Sequence, residues 1–135
     1  MDGLRLDSLE DIKSLLLVSC GGILGSNIRF WIFQVLDDFF INKQLKTILI
    51  NNLASFLLGF FSAILSNKNS LNYPDQLGLL IIIGFLGSLS TFSTYIYDLF
   101  ELPCTFKFFK IVETIVYSVI LGLLALSIGF FFGNQ

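Results

Sequence analysis

Histidine is absent from the 135-residue chain, and only two cysteines are present. These residues provide neither a ligand cluster for a catalytic metal nor a disulfide framework. The long apolar stretches contain one deep charge, Arg29, and no deep carboxylate. A proton-coupled transporter normally needs a carboxylate or histidine inside the membrane that can titrate. We therefore expect neither an enzyme nor a proton-driven pump.

The chain also has little net charge and a large apolar fraction. Its formal net charge is −2, so nothing in the charge balance indicates a nucleic-acid partner. Apolar residues make up 55% of the sequence and the mean hydropathy is +0.83, which is high for a soluble domain. The composition predicts a membrane protein that is surrounded by a lipid bilayer.

Four apolar stretches are long enough to cross a bilayer, since roughly 20 apolar residues span the hydrocarbon core. They lie at about residues 12–36, 46–67, 76–98 and 110–132. We predict an all-α, multi-pass membrane protein in which residues 1–135 form one domain of four transmembrane helices.

The connections between these spans are predicted to be short loops, near residues 37–46, 68–75 and 98–113. With four crossings, both termini lie on one side of the membrane. Three Lys and Arg residues fall on that side and four on the other, so the positive-inside rule gives almost no orientation. The seven residues are Arg5, Lys13 and Lys68 against Lys43, Lys46, Lys107 and Lys110. We interpret this balance as favouring insertion in both orientations over an orientation fixed by weaker cues.

The third span has a polar centre. Between Gly84 and Thr94 it contains two glycines and five serine or threonine residues. Such a sequence predicts an interruption of the helix near the middle of the membrane. Interrupted backbone is tolerated there only where protein or water satisfies it, so ions or polar substrates are often held at such sites.

Hydrogen-bonding or small residues form a stripe on the second and the fourth span, at about 100° per residue. The stripe on the second span contains Thr47, Asn51, Ser55 and Ser62. The stripe on the fourth span contains Thr114, Ser118, Gly122, Ala125 and Gly129. One interpretation is close helix packing, which small and hydroxyl residues permit. The other is a set of donors to an anion, favoured for Asn51 because its carboxamide needs partners in an apolar setting.

Two aromatic residues of the third span, Phe92 and Tyr95, are three positions apart and project from one face. Aromatic rings in membrane helices usually face lipid or fill the core. Here they lie within a serine and threonine cluster, where filler is less expected. Since ring edges carry partial positive charge, two inward rings could line an anion path without a fixed charge.

The deep charge, Arg29, has two interpretations. A lone arginine in a membrane must reach the interface, form an ion pair or face water. Arg29 could stabilise the structure through Asp37, Asp38 or a helix end. Alternatively, it could line an entrance and raise the local concentration of anions.

Taken together, these residues resemble the fluoride channel family known as Fluc or CrcB. The resemblance covers all four spans in order and nearly the whole chain. The matching segments are Gly21-Gly-x-x-Gly25-x-x-x-Arg29-Phe30, Thr47-x-x-x-Asn51-x-x-x-Ser55-Phe56-x-x-Gly59, Gly84-Phe-Leu-Gly87-x-x-x-Thr91-Phe92-Ser93-Thr94-Tyr95 and Ser118-x-x-x-Gly122.

The resemblance implies passive export of fluoride across the cell membrane, which reduces fluoride toxicity. It implies an antiparallel, dual-topology homodimer with two fluoride pores. By this similarity, Asn51 and Ser118 would donate hydrogen bonds to fluoride, and the rings of Phe92 and Tyr95 would line the pore.

The resemblance further implies a cation at the centre of the dimer. The backbone carbonyls of Gly87 and Ser90, from both subunits, would surround one structural sodium ion that is not transported.

The chain also departs from the family. Lys46 and Ala54 stand where the family usually has glycine, and Tyr95 stands where it usually has phenylalanine. One alternative is therefore a subunit of a heteromeric fluoride channel that needs a paralogous partner. A more distant alternative is a small multidrug-type transporter, which depends on a carboxylate within the first span; here Glu10 and Asp11 precede the apolar run.

Overall fold

The structure is a computed structural model that describes residues 2–39, 43–67, 75–100 and 107–135. Within these ranges every regular element is a helix, and none of the described residues is in a strand. The elements are α1 (Asp2–Phe39), α2 (Lys43–Asn67), α3 (Asp75–Gly78), a π-helical segment (Leu79–Leu86), α4 (Gly87–Leu89), α5 (Phe92–Phe100) and α6 (Lys107–Gly133).

Four helical stretches of the described residues are long and apolar enough to cross a membrane. They are Leu9–Asp37, Lys43–Ser66, Gln76–Phe100 and Phe108–Gly133. The prediction of an all-helical chain with four such segments is confirmed. The prediction that they form a single domain stays a prediction.

The predicted loops near 37–46 and 98–113 were too long. Helix α1 continues to Phe39 and α2 begins at Lys43, while α5 continues to Phe100 and α6 begins at Lys107. Charged residues end an apolar run, but Lys, Gln and Glu are good helix formers, so the backbone stays helical beyond it. Residues 40–42, 68–74 and 101–106, which include most of the second predicted loop, lie outside the described residues.

Helices α2 and α6 are in backbone contact at one end. A Cβ atom added at Gly129 of α6 would overlap the carbonyl oxygen of Phe56, and one at Gly59 of α2 would overlap the carbonyl oxygen of Leu126. Only glycine allows two helices to approach this closely. The two backbones therefore converge at these glycines.

The same two helices are further apart at Gly122. A Cβ atom added there would lie 3.6 Å from Ser55 Oγ and 3.7 Å from Asn52 Oδ1, which is ordinary van der Waals contact. The stripe of small residues on α6 therefore has two parts. Gly129 serves close packing, whereas Gly122 borders open space between the helices.

The π-helical segment packs against α1 through facing glycines. A Cβ atom at Gly84 would lie 2.7 Å from the carbonyl oxygen of Val18, and one at Gly21 would overlap the carbonyl oxygen of Leu80. At the end of the segment, the Gly87 N–H bonds to the Ile82 carbonyl, the spacing of a π-helix. These contacts position α4 and the residues that follow it.

The substitution Gly129→Ala should destabilise the protein. Its methyl group would collide with a backbone carbonyl of α2, and overpacking of this kind costs about 1–3 kcal/mol. Thermal unfolding of the purified protein in detergent should show a lower Tm.

Gly122→Ala is the matched control, because its methyl group meets only ordinary contacts. Its Tm should stay close to that of the unsubstituted protein. Equal Tm values for the two variants would contradict the described packing of α2 against α6.

Candidate functional site: a helix interruption beside a polar cleft

Two residues, Ser90 and Thr91, lie between α4 and α5 outside any helix. Ser90 has φ −71° and ψ 148°, which is an extended conformation. Its N–H still donates to the Leu86 carbonyl at 3.2 Å, the last bond of the preceding turn. The chain leaves the helical path after this bond and returns to it at Phe92.

The side chain of Asn51, on α2, holds this interruption. Its Oδ1 accepts hydrogen bonds from the Thr91 N–H and from Ser90 Oγ, both at 3.0 Å. Its Nδ2 donates to the Thr91 carbonyl at 3.3 Å. Because a carboxamide presents the same groups as a peptide unit, Asn51 replaces the backbone partners that Thr91 lacks outside a helix.

Thr91 in turn caps the first turn of α5. The Thr94 N–H donates to Thr91 Oγ1 at 3.4 Å, and the two threonine hydroxyls are 3.0 Å apart. This is the arrangement of a helix N-cap, in which a side-chain oxygen satisfies an early N–H of the helix. Thr91 is buried, so the cap lies inside the packed chain.

The interruption removes the helical donors of two carbonyl groups. In a continuous α-helix, the carbonyl of Gly87 would accept from the N–H of Thr91, and that of Ser90 from the N–H of Thr94. Both amides donate to side-chain oxygens instead. Gly87 and Ser90 are also exposed in the single chain.

A cleft of about 500 Å³ lies beside the interruption. It is lined by residues of α2, α5 and α6 and by Ser90 of the interruption. The cleft brings together four of the predicted site residues, Asn51, Phe92, Tyr95 and Ser118. The other lining residues are Asn52, Ser55, Ser90, Ile96, Ile115, Val119, Gly122, Leu123 and Leu126. None of these lining residues is charged.

The two residues that are predicted to bind a cation through their backbone carbonyls border a second, smaller cavity. Gly87 and Ser90 line a space of about 290 Å³ together with Ser55. Ser90 and Ser55 therefore border both cavities.

The hydroxyl of Ser118 points to no protein partner among the described residues. On the same helix, Thr114 Oγ1 donates to the Lys110 carbonyl at 2.7 Å, and Ser127 Oγ donates to the Leu123 carbonyl at 2.8 Å. Both hydroxyls therefore have a hydrogen-bond partner within their own helix. Ser118 differs from them, and its hydroxyl remains able to bond to a molecule in the cleft.

The two predicted rings have different surroundings. Phe92 is 76% exposed in the single chain, whereas Tyr95 is 8% exposed. The Tyr95 hydroxyl donates to the Thr114 carbonyl of α6 at 3.3 Å. The hydroxyl that distinguishes Tyr95 from phenylalanine therefore joins α5 to α6.

Asp98, at the end of the predicted third span, is a buried carboxylate. It is 4% exposed, and its Oδ2 accepts a hydrogen bond of 2.6 Å from Thr47 Oγ1. Gln44 Nε2 donates to its backbone carbonyl at 3.0 Å. Its position one turn after Tyr95, on the same face of α5, is the feature of the sequence that could have predicted its burial.

The predicted partner of Arg29 is bonded elsewhere. Asp37 forms an ion pair with Lys46, which is 5% exposed. Arg29 is half-buried and makes no ion pair or hydrogen bond with the residues that the structure describes. The side chain of Asp38 lies outside the described residues.

The substitution Tyr95→Phe should leave the fold intact and lower the free energy of unfolding slightly. It removes one hydrogen bond to a carbonyl that belongs to the backbone of α6. The loss of one such bond costs about 0.5–1.5 kcal/mol. Chemical unfolding in detergent measures this change. A loss of several kcal/mol would contradict the single contact that the structure gives this hydroxyl.

Four membrane-length helices among the described residues, with an uncharged polar cleft between α2, α5 and α6, are typical of small membrane channels and transporters. Residues 16–130 of the chain match the profile of one protein family, described as "CrcB-like protein, Camphor Resistance (CrcB)". The match covers most of the chain, and the chain belongs to this family. It is therefore a multi-pass membrane protein.

Individual relatives agree with the family match. The chain is 40% identical over 124 residues to "Fluoride-specific ion channel FluC 2" of Prochlorococcus marinus (strain NATL2A), covering 92% of this chain and all of the relative. It is 34% identical over 119 residues to "Fluoride-specific ion channel FluC" of Aquifex aeolicus (strain VF5), covering 87% and 94% of the two chains.

A third relative carries the number 1 in its name, where the first carries the number 2. The chain is 30% identical over 116 residues to "Fluoride-specific ion channel FluC 1" of Methanosarcina acetivorans, covering 86% and 87% of the two chains. All three relatives are named as ion channels, and the expectation that the chain is not an enzyme is confirmed. The numbers 1 and 2 in these names indicate paralogues in some organisms.

Proposed function

We propose that the protein is a fluoride-specific ion channel that passively exports fluoride from the cytoplasm across the cell membrane. The observation that carries the proposal is the uncharged polar cleft, in which Asn51, Ser118, Phe92 and Tyr95 meet beside the helix interruption. The names of the relatives support fluoride as the ion.

The cleft offers hydrogen-bond donors and no charge to a small anion. Fluoride is strongly hydrated, and moving it unhydrated into an apolar medium costs tens of kcal/mol. The second N–H of Asn51, the free hydroxyl of Ser118 and the ring edges of Phe92 and Tyr95 replace part of the lost hydration. Because the lining is uncharged, binding stays weak enough for release.

The proposed assembly is an antiparallel dimer with two pores, in which the third span of each subunit is interrupted at mid-membrane. The balanced loop charges favour insertion in both orientations. Phe92, Gly87 and Ser90 are exposed in the single chain although they belong to the polar centre of the third span. A second subunit would cover them.

The proposed central cation is a structural sodium ion held by Gly87 and Ser90 of both subunits. The residues fit such an ion, because these carbonyls lack their helical donors and hard cations prefer oxygen ligands. Bound there, sodium would supply a fixed positive charge at the dimer axis. The chain's own contribution is the Asn51 bonds that keep the carbonyls free.

Arg29 is proposed to lie at the entrance to the pore. Its guanidinium makes no ion pair with a described carboxylate, and Asp37 pairs with Lys46. An uncompensated positive charge raises the local concentration of anions.

A second candidate is a subunit that conducts only with a paralogous partner. Two observations support this candidate. Relatives have numbered names, and an ion-paired Lys46 stands where the family usually has glycine. A multidrug-type transporter is disfavoured, because residues 14–36 of the first span contain no Asp or Glu. Activity of the purified chain alone separates a homodimer from a heteromer.

Fluoride release from proteoliposomes that contain only this chain tests the proposal. A fluoride electrode should record rapid release, with chloride excluded, and release should decline when sodium is removed throughout. Asn51→Asp should abolish most of the release, because it adds a negative charge and removes the donor to Thr91. Phe92→Ile should do the same by removing a ring from the cleft.

Phe131→Ile is the matched control, because this exposed ring of α6 does not line the cleft. Its release should equal that of the unsubstituted protein. Unchanged release in both Asn51→Asp and Phe92→Ile would refute the site. No release from the purified chain would favour the heteromeric alternative.

A further inference from the structure

Asn52 follows Asn51 directly on α2. It lies about 100° around α2 from Asn51, so the two carboxamides point in different directions. Both line the same cleft. Asn51 faces the helix interruption, whereas Asn52 faces α6, where its Oδ1 is 3.7 Å from the Cβ position of Gly122.

The carboxamide of Asn51 is largely committed to the protein. Its oxygen accepts two hydrogen bonds, and one of its two N–H groups donates to Thr91. Only one N–H remains for an ion. Moving Asn51 toward an ion would also loosen Ser90 and Thr91, which depend on it.

The carboxamide of Asn52 is uncommitted. It makes no hydrogen bond with the residues described in the structure, and the same holds for the neighbouring hydroxyl of Ser55. No fully buried side-chain nitrogen or oxygen among these residues lacks a partner, so the unbonded amide of Asn52 is accessible, and Asn52 lines the cleft. Asn52 therefore presents two free N–H donors to the cleft.

A purely structural role does not explain Asn52. An asparagine that packs membrane helices together would bond to the neighbouring helix, as Tyr95 does with α6. A lipid-facing asparagine is costly, and Asn52 is half-buried at the cleft instead. The absence of a side chain at Gly122 leaves space beside its carboxamide, whose Oδ1 is the Asn52 atom that lies near Gly122.

We propose that Asn52 is an anion-coordinating residue of the cleft and, with Ser118, donates hydrogen bonds to the conducted ion, while Asn51 mainly holds the helix interruption. Ser118 lies one turn from Gly122 on α6, opposite Asn52 on α2. The two side chains thus approach an ion from opposite sides of the cleft. This inference rests on the proposed function, because the ion it concerns is fluoride.

Fluoride release from proteoliposomes tests the role of Asn52 in three variants. Asn52→Leu keeps the size and removes both donors, and Asn52→Asp keeps the shape and replaces the donors with a negative charge. Each should lower the release rate about 10-fold or more, since a hydrogen bond to an ion is lost. Asn52→Ser keeps one donor and should retain a larger fraction of the rate than Asn52→Leu.

Asn27→Leu is the matched control, because this exposed carboxamide of α1 bonds to the Ile23 carbonyl of its own helix. It should release fluoride at the unsubstituted rate. The Tm of each variant in detergent shows whether it is folded. If Asn52→Leu does not fold, the release rate of Asn52→Asp is the test.

Two outcomes overturn the inference in different ways. Release by folded Asn52→Leu or Asn52→Asp within about 2-fold of the unsubstituted rate would exclude Asn52 as a donor and leave the proposed function intact. No release by the unsubstituted protein would refute the proposed function in the purified chain, and this inference with it.

Discussion

The structure depends on the hydrogen bonds between the Asn51 carboxamide and the backbone of Thr91. An unpaired peptide group in a membrane costs several kcal/mol, so a helix interruption needs a substitute partner. Asn51 supplies both a donor and an acceptor to Thr91, and Thr91 then caps α5. The released carbonyls of Gly87 and Ser90 follow from this arrangement.

The cleft itself results from uneven packing of two helices. At Gly59 and Gly129 the backbones of α2 and α6 touch, and at Gly122 they leave space. The tight end keeps the helices together without side chains between them. The open end therefore exposes Ser118 and Asn52 without weakening the pair. Close packing and a polar cleft are produced by one stripe of small residues.

Much of this architecture could be predicted from the sequence, because long apolar runs identify membrane helices. The polar run from 84 to 94 predicts an interruption of the third span, and Ser90 and Thr91 lie within this run. The partners of these residues could not be predicted, since they depend on contacts between distant segments. Periodicity placed Asn51 on a polar stripe but did not distinguish a side chain bound to the protein from a free one, such as Asn52. It also missed Asp98, because a charge at the end of a span is usually solvated.

The most direct test is amide hydrogen exchange at Thr91, measured by NMR on the protein in detergent. If Asn51 holds the interruption, Asn51→Leu should speed exchange of the Thr91 amide about 10-fold or more, because one hydrogen bond protects it. Amides of α6 near Leu123 should keep their rates. An unchanged rate at Thr91 in this variant would show that Asn51 does not hold the interruption.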